Sequence, residues 1–312
     1  MVKSNFDMKN ELSLYSPMFI DNDMAVEYFL DKKLFAITIN CDKCNASQMK
    51  VTKYTQALNR IIYKCQNTKC YSRKTISAGS SFKSVKLECK IILRAIFCFV
   101  LNLNNFQALN QLKINEKTYI KIKNILNLKI KNYLDNNSVR LGGCGVSVQC
   151  DETAICNGSL IIDPTHTQDD KPNTQWILGL IEESCERRCL LIIIPDRKSE
   201  TIAKIFSKYM HPQTIIKTDG YPSYPKAALD SGLNHKIVNH NQSFVAEDGT
   251  NTNLIEGVWA HFKTLYRSKH GLSKKNLVNF VDEFNWRKNY FNYKKGESID
   301  ESFEKIISLL KY

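Results

Sequence analysis

The chain has 312 residues, 43% of them apolar, with 44 Lys and Arg against 31 Asp and Glu and a formal net charge of +13. This length and apolar content support two or three domains with real cores and exclude a disordered tail. The longest apolar runs, Ile91 to Val100 and Leu190 to Ile194, are short or broken by Arg94, so no transmembrane helix is expected.

Met1-Val2-Lys3-Ser4-Asn5 leads into polar sequence rather than a signal-peptide core, so the chain is expected to stay where thiols are reduced. Its 11 cysteines then call for metal or burial, not disulfides. Charge is unevenly spread. Residues 1–40 carry four basic and six acidic groups, residues 41–140 carry nineteen and four, and residues 141–312 carry twenty-one of each. The middle block is expected to meet a polyanion, and nucleic acid fits better than a membrane surface because no basic amphipathic helix with an aromatic apolar face stands out.

Residues 1–40 read as a short helical entry, with Asp21-Asn22-Asp23 capping a helix through Ala25, Val26, Phe29 and Leu30. In residues 41–80, Cys41 and Cys44 are followed after twenty residues by Cys65 and Cys70. Short strands, Lys50 to Tyr54 and Arg60 to Lys64, lie between the pairs. Two cysteine pairs on turns at the ends of adjacent hairpins give the four soft ligands of a structural Zn²⁺, the pattern of a zinc ribbon; incidental buried thiols are the alternative.

Residues 86–140 read as three helices, carried by Leu87 to Phe99, by Phe106, Leu109 and Leu112, and by Tyr119, Ile122, Ile125, Leu126 and Ile130. The short break at Lys113-Ile114-Asn115 suits a helix-turn-helix that points Lys117, Lys121 and Lys123 of the third helix at phosphates. A plain helical bundle with lysines on its wet face has the same pattern; the neighbouring cysteines and the local charge favour DNA.

Gly142-Gly143-Cys144-Gly145 marks a boundary. Beyond it, strands are expected at Val146 to Cys150, Ser159 to Ile162, Trp176 to Ile181 and Arg188 to Ile194. Helix Ser199 to Met210, strand Thr214 to Thr218 and a helix near Pro222 to Leu229 follow. Helices Leu254 to Ser268, Lys274 to Tyr290 and Ile299 to Leu310 complete the chain. Three strands and then alternating helix and strand is the order of a ribonuclease-H-like fold, and of other mixed α/β sheets as well.

Three carboxylates stand where catalytic groups can stand: Asp151 at the end of the first of these strands, Asp219 at the end of Thr214 to Thr218, and Glu256 on the first turn of the helix starting near Asn253. Mg²⁺ takes a few carboxylates and completes its shell with water and phosphate, so such a triad in a basic protein has the form of a two-metal phosphoryl-transfer site. Lys263, two helical turns after Glu256, shares its face.

As a set, Asp151-Glu152-Thr153, Gln175-Trp176-Ile177-Leu178-Gly179, Ile194-Pro195-Asp196-Arg197, Thr218-Asp219-Gly220-Tyr221 with Tyr224, and Asn253-Leu254-Ile255-Glu256-Gly257 with Trp259 and Lys263 resemble DDE transposases of the Merlin superfamily and related bacterial insertion-sequence (ISXO2-like) transposases. The resemblance covers residues 145–292. It implies an α/β fold: a ribonuclease-H-like mixed-sheet catalytic core preceded by a zinc ribbon and a helix-turn-helix-like segment, with 293–312 as a C-terminal helix. Asp151, Asp219 and Glu256 would bind Mg²⁺ or Mn²⁺, and Cys41, Cys44, Cys65 and Cys70 a structural Zn²⁺. Lys117, Lys121, Lys123 and Lys263 would contact DNA.

The implied activity is cleavage at terminal inverted repeats and joining of 3′ ends to target DNA. It would be carried out on double-stranded DNA by a homo-oligomer, with no membrane and no small-molecule substrate. A binding protein without catalysis and a nuclease that does not join ends are the rivals. The compartment would be the nucleus in a eukaryote or the nucleoid-containing cytoplasm in a bacterium, without secretion. Thr250-Asn251-Thr252-Asn253 lacks the His that relatives often place before the Asn, and His240 nearby has no assigned role. Cys185 and Cys189 are expected to be free thiols, Trp259 to be core, and His166 and His211 to be structural or surface residues.

Overall fold

The computed structural model describes residues 12–45, 48–160, 173–238, 253–269, 271–291 and 296–311. It comprises two compact units, Met1–Ile130 with Asn292–Tyr312, and Lys131–Phe291. No helix among the described residues is long and apolar enough to cross a membrane.

The first unit opens with α1 (Pro17–Ile20) and α2 (Asn22–Asp31). As the sequence suggested, the Asp21 side chain starts α2 by accepting the N–H groups of Asp23 and Met24. An antiparallel sheet follows in the order β1 (Thr38–Asn40), β2 (Gln48–Lys53), β3 (Ile61–Cys65), β4 (Arg73–Thr75). The two outer strands have only three residues each, too few to show an alternating pattern. Tyr63 of β3 is buried and donates to the Ala36 carbonyl at 2.6 Å. Gly79 makes room for that ring: a Cβ there would lie 2.1 Å from the Tyr63 hydroxyl.

Next come α3 (Cys89–Val100), α4 (Asn105–Leu112) and α5 (Glu116–Asn136). A capping box of Asn104 and Gln107 starts α4, and Lys113 in left-handed conformation (φ 53) ends it. The final helix α10 (Ile299–Leu309) belongs to this unit. Phe303 packs its ring edge-on against Phe19 at 5.8 Å and Phe97 at 6.0 Å. The C-terminal helix therefore completes the core formed by the chain's beginning, a contact that sequence distance hides.

In the second unit the strands are β5 (Ser147–Cys156), β6 (Ser159–Leu160), β7 (Thr174–Glu182), β8 (Cys189–Ile194), β9 (Ile215–Thr218) and β10 (Asn234–Ile237). The sheet order is β10-β9-β5-β7-β8, with β6 paired to β5. The pairs β5/β7 and β7/β8 are antiparallel, whereas β5/β9 and β9/β10 are parallel. The first strand runs on to Cys156 instead of stopping at Cys150, because β7 pairs with it from Val148 through Cys156. Asp151 consequently sits within the central strand rather than at its end.

Helices α6 (Ser199–Tyr209) and α7 (Ser223–Asp230) cover one sheet face, packing on Val148, Cys150, Ala154 and Ile216. Helices α8 (Asn253–Arg267) and α9 (Lys274–Tyr290) cover the other, packing on Ile155, Ile177, Ile181 and Leu191. The outer strand β8 is sealed by two asparagines one turn apart on α9. Asn285 exchanges hydrogen bonds with both backbone groups of Leu191, at 2.8 Å each, and Asn289 does the same for Cys189 at 2.8 and 2.6 Å. An open sheet edge is thereby satisfied by side chains. Gly142 (φ +81) lies against Thr214 and donates to Glu182 Oε1 at 2.7 Å, so the glycine-rich stretch is built into this unit.

Candidate functional site

In the first unit β3 ends in Cys65, and the turns around the sheet bring Cys41, Cys44 and Cys70 to it. The four sulfurs all lie within 4.8 Å of one another, with Cys41–Cys70 and Cys44–Cys65 both at 3.7 Å. Backbone N–H groups of Cys44 and Lys43 pull the Cys41 thiol down to about 6, whereas burial pushes Cys65 up to about 11. A tetrahedral ion with ~2.3 Å bonds to sulfur needs ligands about 3.8 Å apart, so this cluster can hold a metal such as zinc. Among the described residues it is the one set of three or more Cys, His, Asp or Glu so tightly gathered; Cys185, which is exposed, and buried Cys189 form no such set.

Helix α5 turns Tyr119, Ile122, Leu126 and Ile130 inward. Its outer stripe consists of Lys117, Ile120, Lys121, Asn124 and Leu128, all exposed. Lys121 Nζ reaches the Ser84 carbonyl at 2.7 Å, and Lys123 Nζ reaches Asn105 Oδ1 at 2.6 Å while lying 5.3 Å over the Tyr119 ring. The exposed Ile120 and Leu128, unusual on a wet helix face, escape notice in the sequence because they fall between the periodic core positions.

The second unit collects acidic groups at the middle of its sheet. Ser147 pairs with Ile215, Val148 with Ile216 and Gln149 with Lys217. Carried two residues further, that register sets Asp219 level with Asp151. Burial first, then the charges of Glu152 and Asp219, push the Asp151 carboxyl up to about 7; the Glu152 N–H, which donates to Asp151 Oδ1 at 2.7 Å, opposes the rise, with the nearby Trp259 indole adding less. Asp219 accepts the Tyr221 N–H at 3.0 Å, which folds the Gly220 turn back on the strand end. Glu256 projects from the first turn of α8 and is exposed. The three carboxylates do not form a ligand set as compact as the cysteines.

Trp259 is buried, as its apolar neighbours suggested. It packs on Gly179, the β7 partner of Asp151. The helix is tied down at both ends: Gln149 Oε1 accepts the N–H groups of Leu254 and Ile255 at 3.0 and 3.1 Å, and the Tyr266 hydroxyl donates to the Gly158 carbonyl at 2.8 Å. Lys263, half-buried, lines a cleft of about 400 Å³ with Ser159, Tyr266 and Arg267, about 10 Å along the helix from Glu256.

On the opposite sheet face the remaining motif residues meet. Glu152 pairs with Arg197 at 3.2 Å and accepts a hydrogen bond from the Tyr224 hydroxyl. The Arg197 guanidinium lies between Trp176, at 3.9 Å, and Tyr221, at 4.2 Å. All of these except Tyr221 are buried. Burial pushes Glu152 up, with Tyr224 and Arg197 holding it back. This cluster ties the residue after Asp151 to the turn after Asp219. The Arg197 of the Ile194-Pro195-Asp196-Arg197 motif thus serves this buried cluster, and nothing in the sequence marks Gln149, since a glutamine in a strand carries no chemical signature. Of the histidines, His211 accepts the Thr214 hydroxyl at its carbonyl, whereas His166 and His240 lie outside the described residues, as do Thr250, Asn251 and Thr252.

A family model for the ISXO2-like transposase domain matches residues 146–289. An uncharacterized transposase-like protein of Haemophilus influenzae is 30% identical over 109 residues, which span 35% of this chain and 86% of that relative.

Proposed function

Because this chain belongs to the ISXO2-like transposase family, we propose that its transposase role consists of binding the inverted ends of a DNA element, cleaving them and joining the freed 3′ ends to target DNA. The second unit is then a ribonuclease-H-like core. Its support is the order β8-β7-β5-β9-β10, three antiparallel strands continued by two parallel ones.

Asp151, Asp219 and Glu256 hold Mg²⁺ or Mn²⁺. The observation that carries this is the β5/β9 register, which continued past Gln149–Lys217 sets Asp219 level with Asp151, together with a half-buried Asp151 carboxyl that desolvation first, and its acidic neighbours next, push up to about 7. A divalent cation is the natural counter-charge for such a pair; held by these carboxylates, it would lower the pKa of a water or 3′-hydroxyl and would stabilise the leaving oxygen. The chain's residues supply position. Gly179 and Trp259 seat α8 against the sheet, Asp219 is oriented by the Tyr221 N–H, and Lys263 neutralises a phosphate further along the bound strand.

The first unit recognises the ends. Cys41, Cys44, Cys65 and Cys70 hold a structural Zn²⁺ in a zinc ribbon, supported by the 3.7 Å sulfur separations. Residues 105–136 act as a helix-turn-helix with Lys117, Lys121 and Lys123 near phosphates. Double-stranded DNA is the partner, and a homo-oligomer pairs the two ends, as the family resemblance implies.

The test is Asp219→Asn and Glu256→Gln on plasmids carrying the DNA that flanks the coding region. Each variant should lose at least about a hundredfold in cleavage with Mg²⁺ while keeping its DNA affinity. Wild-type cleavage by either one refutes the triad.

A further inference from the structure

One step back along each element from the three carboxylates stands a second layer of polar groups, side chains on the strands and backbone N–H groups on the helix. Lys217 of β9 precedes Asp219, which follows that strand, by two residues; Gln149 precedes Asp151 by two on β5, and Leu254 and Ile255 immediately precede Glu256 on α8. In a strand, residues two apart share a face, so Lys217 and Gln149 point to the same side of the sheet as the two aspartates.

The members of this layer are bonded in series. Lys217 Nζ lies 2.7 Å from Glu183 Oε2; Glu183 Oε1 accepts Gln149 Nε2 at 2.6 Å; Gln149 Oε1 accepts the N–H groups of Leu254 and Ile255 at 3.0 and 3.1 Å. Gln149 is fully buried in the sheet.

The chemistry of the partners fixes the amide's orientation. A carboxylate only accepts, so it takes the NH₂ end; free helix N–H groups only donate, so they take the oxygen. The first turn of a helix carries N–H groups with no partner inside the helix, and here a strand side chain provides for two of them. A glutamine whose two ends are held this way sets how far the start of α8 stands from β5.

We propose that Gln149, held in orientation by Glu183 and Lys217, is a positioning residue that places Glu256 against Asp151 and Asp219 for divalent-metal binding. The proposal rests on the acidic-triad reading. It assigns to Gln149 no contact with metal or DNA; the residue acts through the helix it docks. Hydrophobic packing of Ile255 and Trp259 holds α8 to the sheet in any case, so loss of the amide should shift the first turn without unfolding the unit.

The test is a double-mutant cycle on Mn²⁺ affinity, measured by calorimetry or spin resonance on the full-length protein, with thermal unfolding and DNA binding alongside. The variants are Gln149→Met, which keeps length without polar atoms, Glu256→Gln, and both together. Gln149→Met should weaken Mn²⁺ binding about tenfold, leave DNA affinity within about twofold, and add almost nothing in the Glu256→Gln background, because two residues acting through one ligand are not additive. Glu183→Ala, at a partly exposed position, should give a smaller loss in the same direction by freeing the amide to turn, and it stands in for Gln149→Met should that variant not fold.

An undiminished affinity in Gln149→Met, or an equal loss with and without Glu256, overturns the positioning role alone. An undiminished affinity in Glu256→Gln overturns the triad reading and the positioning role with it.

Discussion

Trp259 and Gly179 are in such close contact that a methyl group on the glycine would lie 2.6 Å from the indole Cζ2. Gly179 is the strand partner of Asp151, so the indole of α8 rests on the sheet beside this half-buried carboxylate. This contact, with the Gln149 bonds, sets the helix that carries Glu256 close to the strand.

Gly179→Ala should therefore push α8 outward. An inserted methyl in a packed core costs about 1–3 kcal/mol, and here it should also lower the affinity for Mn²⁺. Thermal unfolding and metal titration check both effects; a variant with unchanged stability and metal binding means that α8 has room to spare.

The proton on Asp151 makes a pH prediction with a definite sign. Its carboxyl is pushed up to about 7 in the folded chain, against about 3.9 for a free aspartate. Between those values the folded protein holds a proton that the unfolded chain has released, so this group makes stability fall as pH rises from ~4 to ~7. Asp151→Asn should remove that slope and raise the melting temperature at pH 8 by on the order of 5 °C in buffer without added divalent ions. Parallel melting curves for the two proteins across this range contradict the assignment.

Metal analysis of protein purified without chelators should find about one zinc per chain, lost in Cys41→Ser or Cys65→Ser and retained in Cys185→Ser. Small cysteine-bound units depend on their ion for folding, so the two zinc-site variants should also become protease-sensitive in the first unit. Zinc retained in Cys65→Ser excludes the four-sulfur site.

DNA binding should fall steeply with salt, and Lys117→Gln with Lys121→Gln should flatten the slope of log K against log[salt] by about 2. Asn124, exposed on the outer stripe of α5, should read a base, so that Asn124→Ala costs about 1–3 kcal/mol on element ends and little on scrambled DNA. These measurements need the full-length chain, since Phe303 of α10 packs into the core of the first unit. Equal losses on both DNAs place Asn124 among backbone contacts.

Much of this was written locally. Alternation and 3.6-residue periodicity located most of the longer strands and helices, and Asp21, Cys41, Cys44, Cys65 and Cys70 announced a cap and a metal cluster through residue type and spacing alone. The family motifs named Asp151, Asp219 and Glu256. Such signals survive in sequence because they depend on neighbours a few positions away.

Other relationships depend on residues far apart in the chain. The return of α10 to the first unit joins positions 97 and 303. The pairing of Glu152 with Arg197 joins positions 45 apart, and the docking of α8 by Gln149 spans about a hundred residues. Gly179 stands in the sequence as one residue of a family motif, and only the indole above it shows why a side chain there would not fit. A buried glutamine or glycine is chemically unremarkable until its neighbours are known, and only the folded sheet, with its register and its two covered faces, decides which neighbours those are.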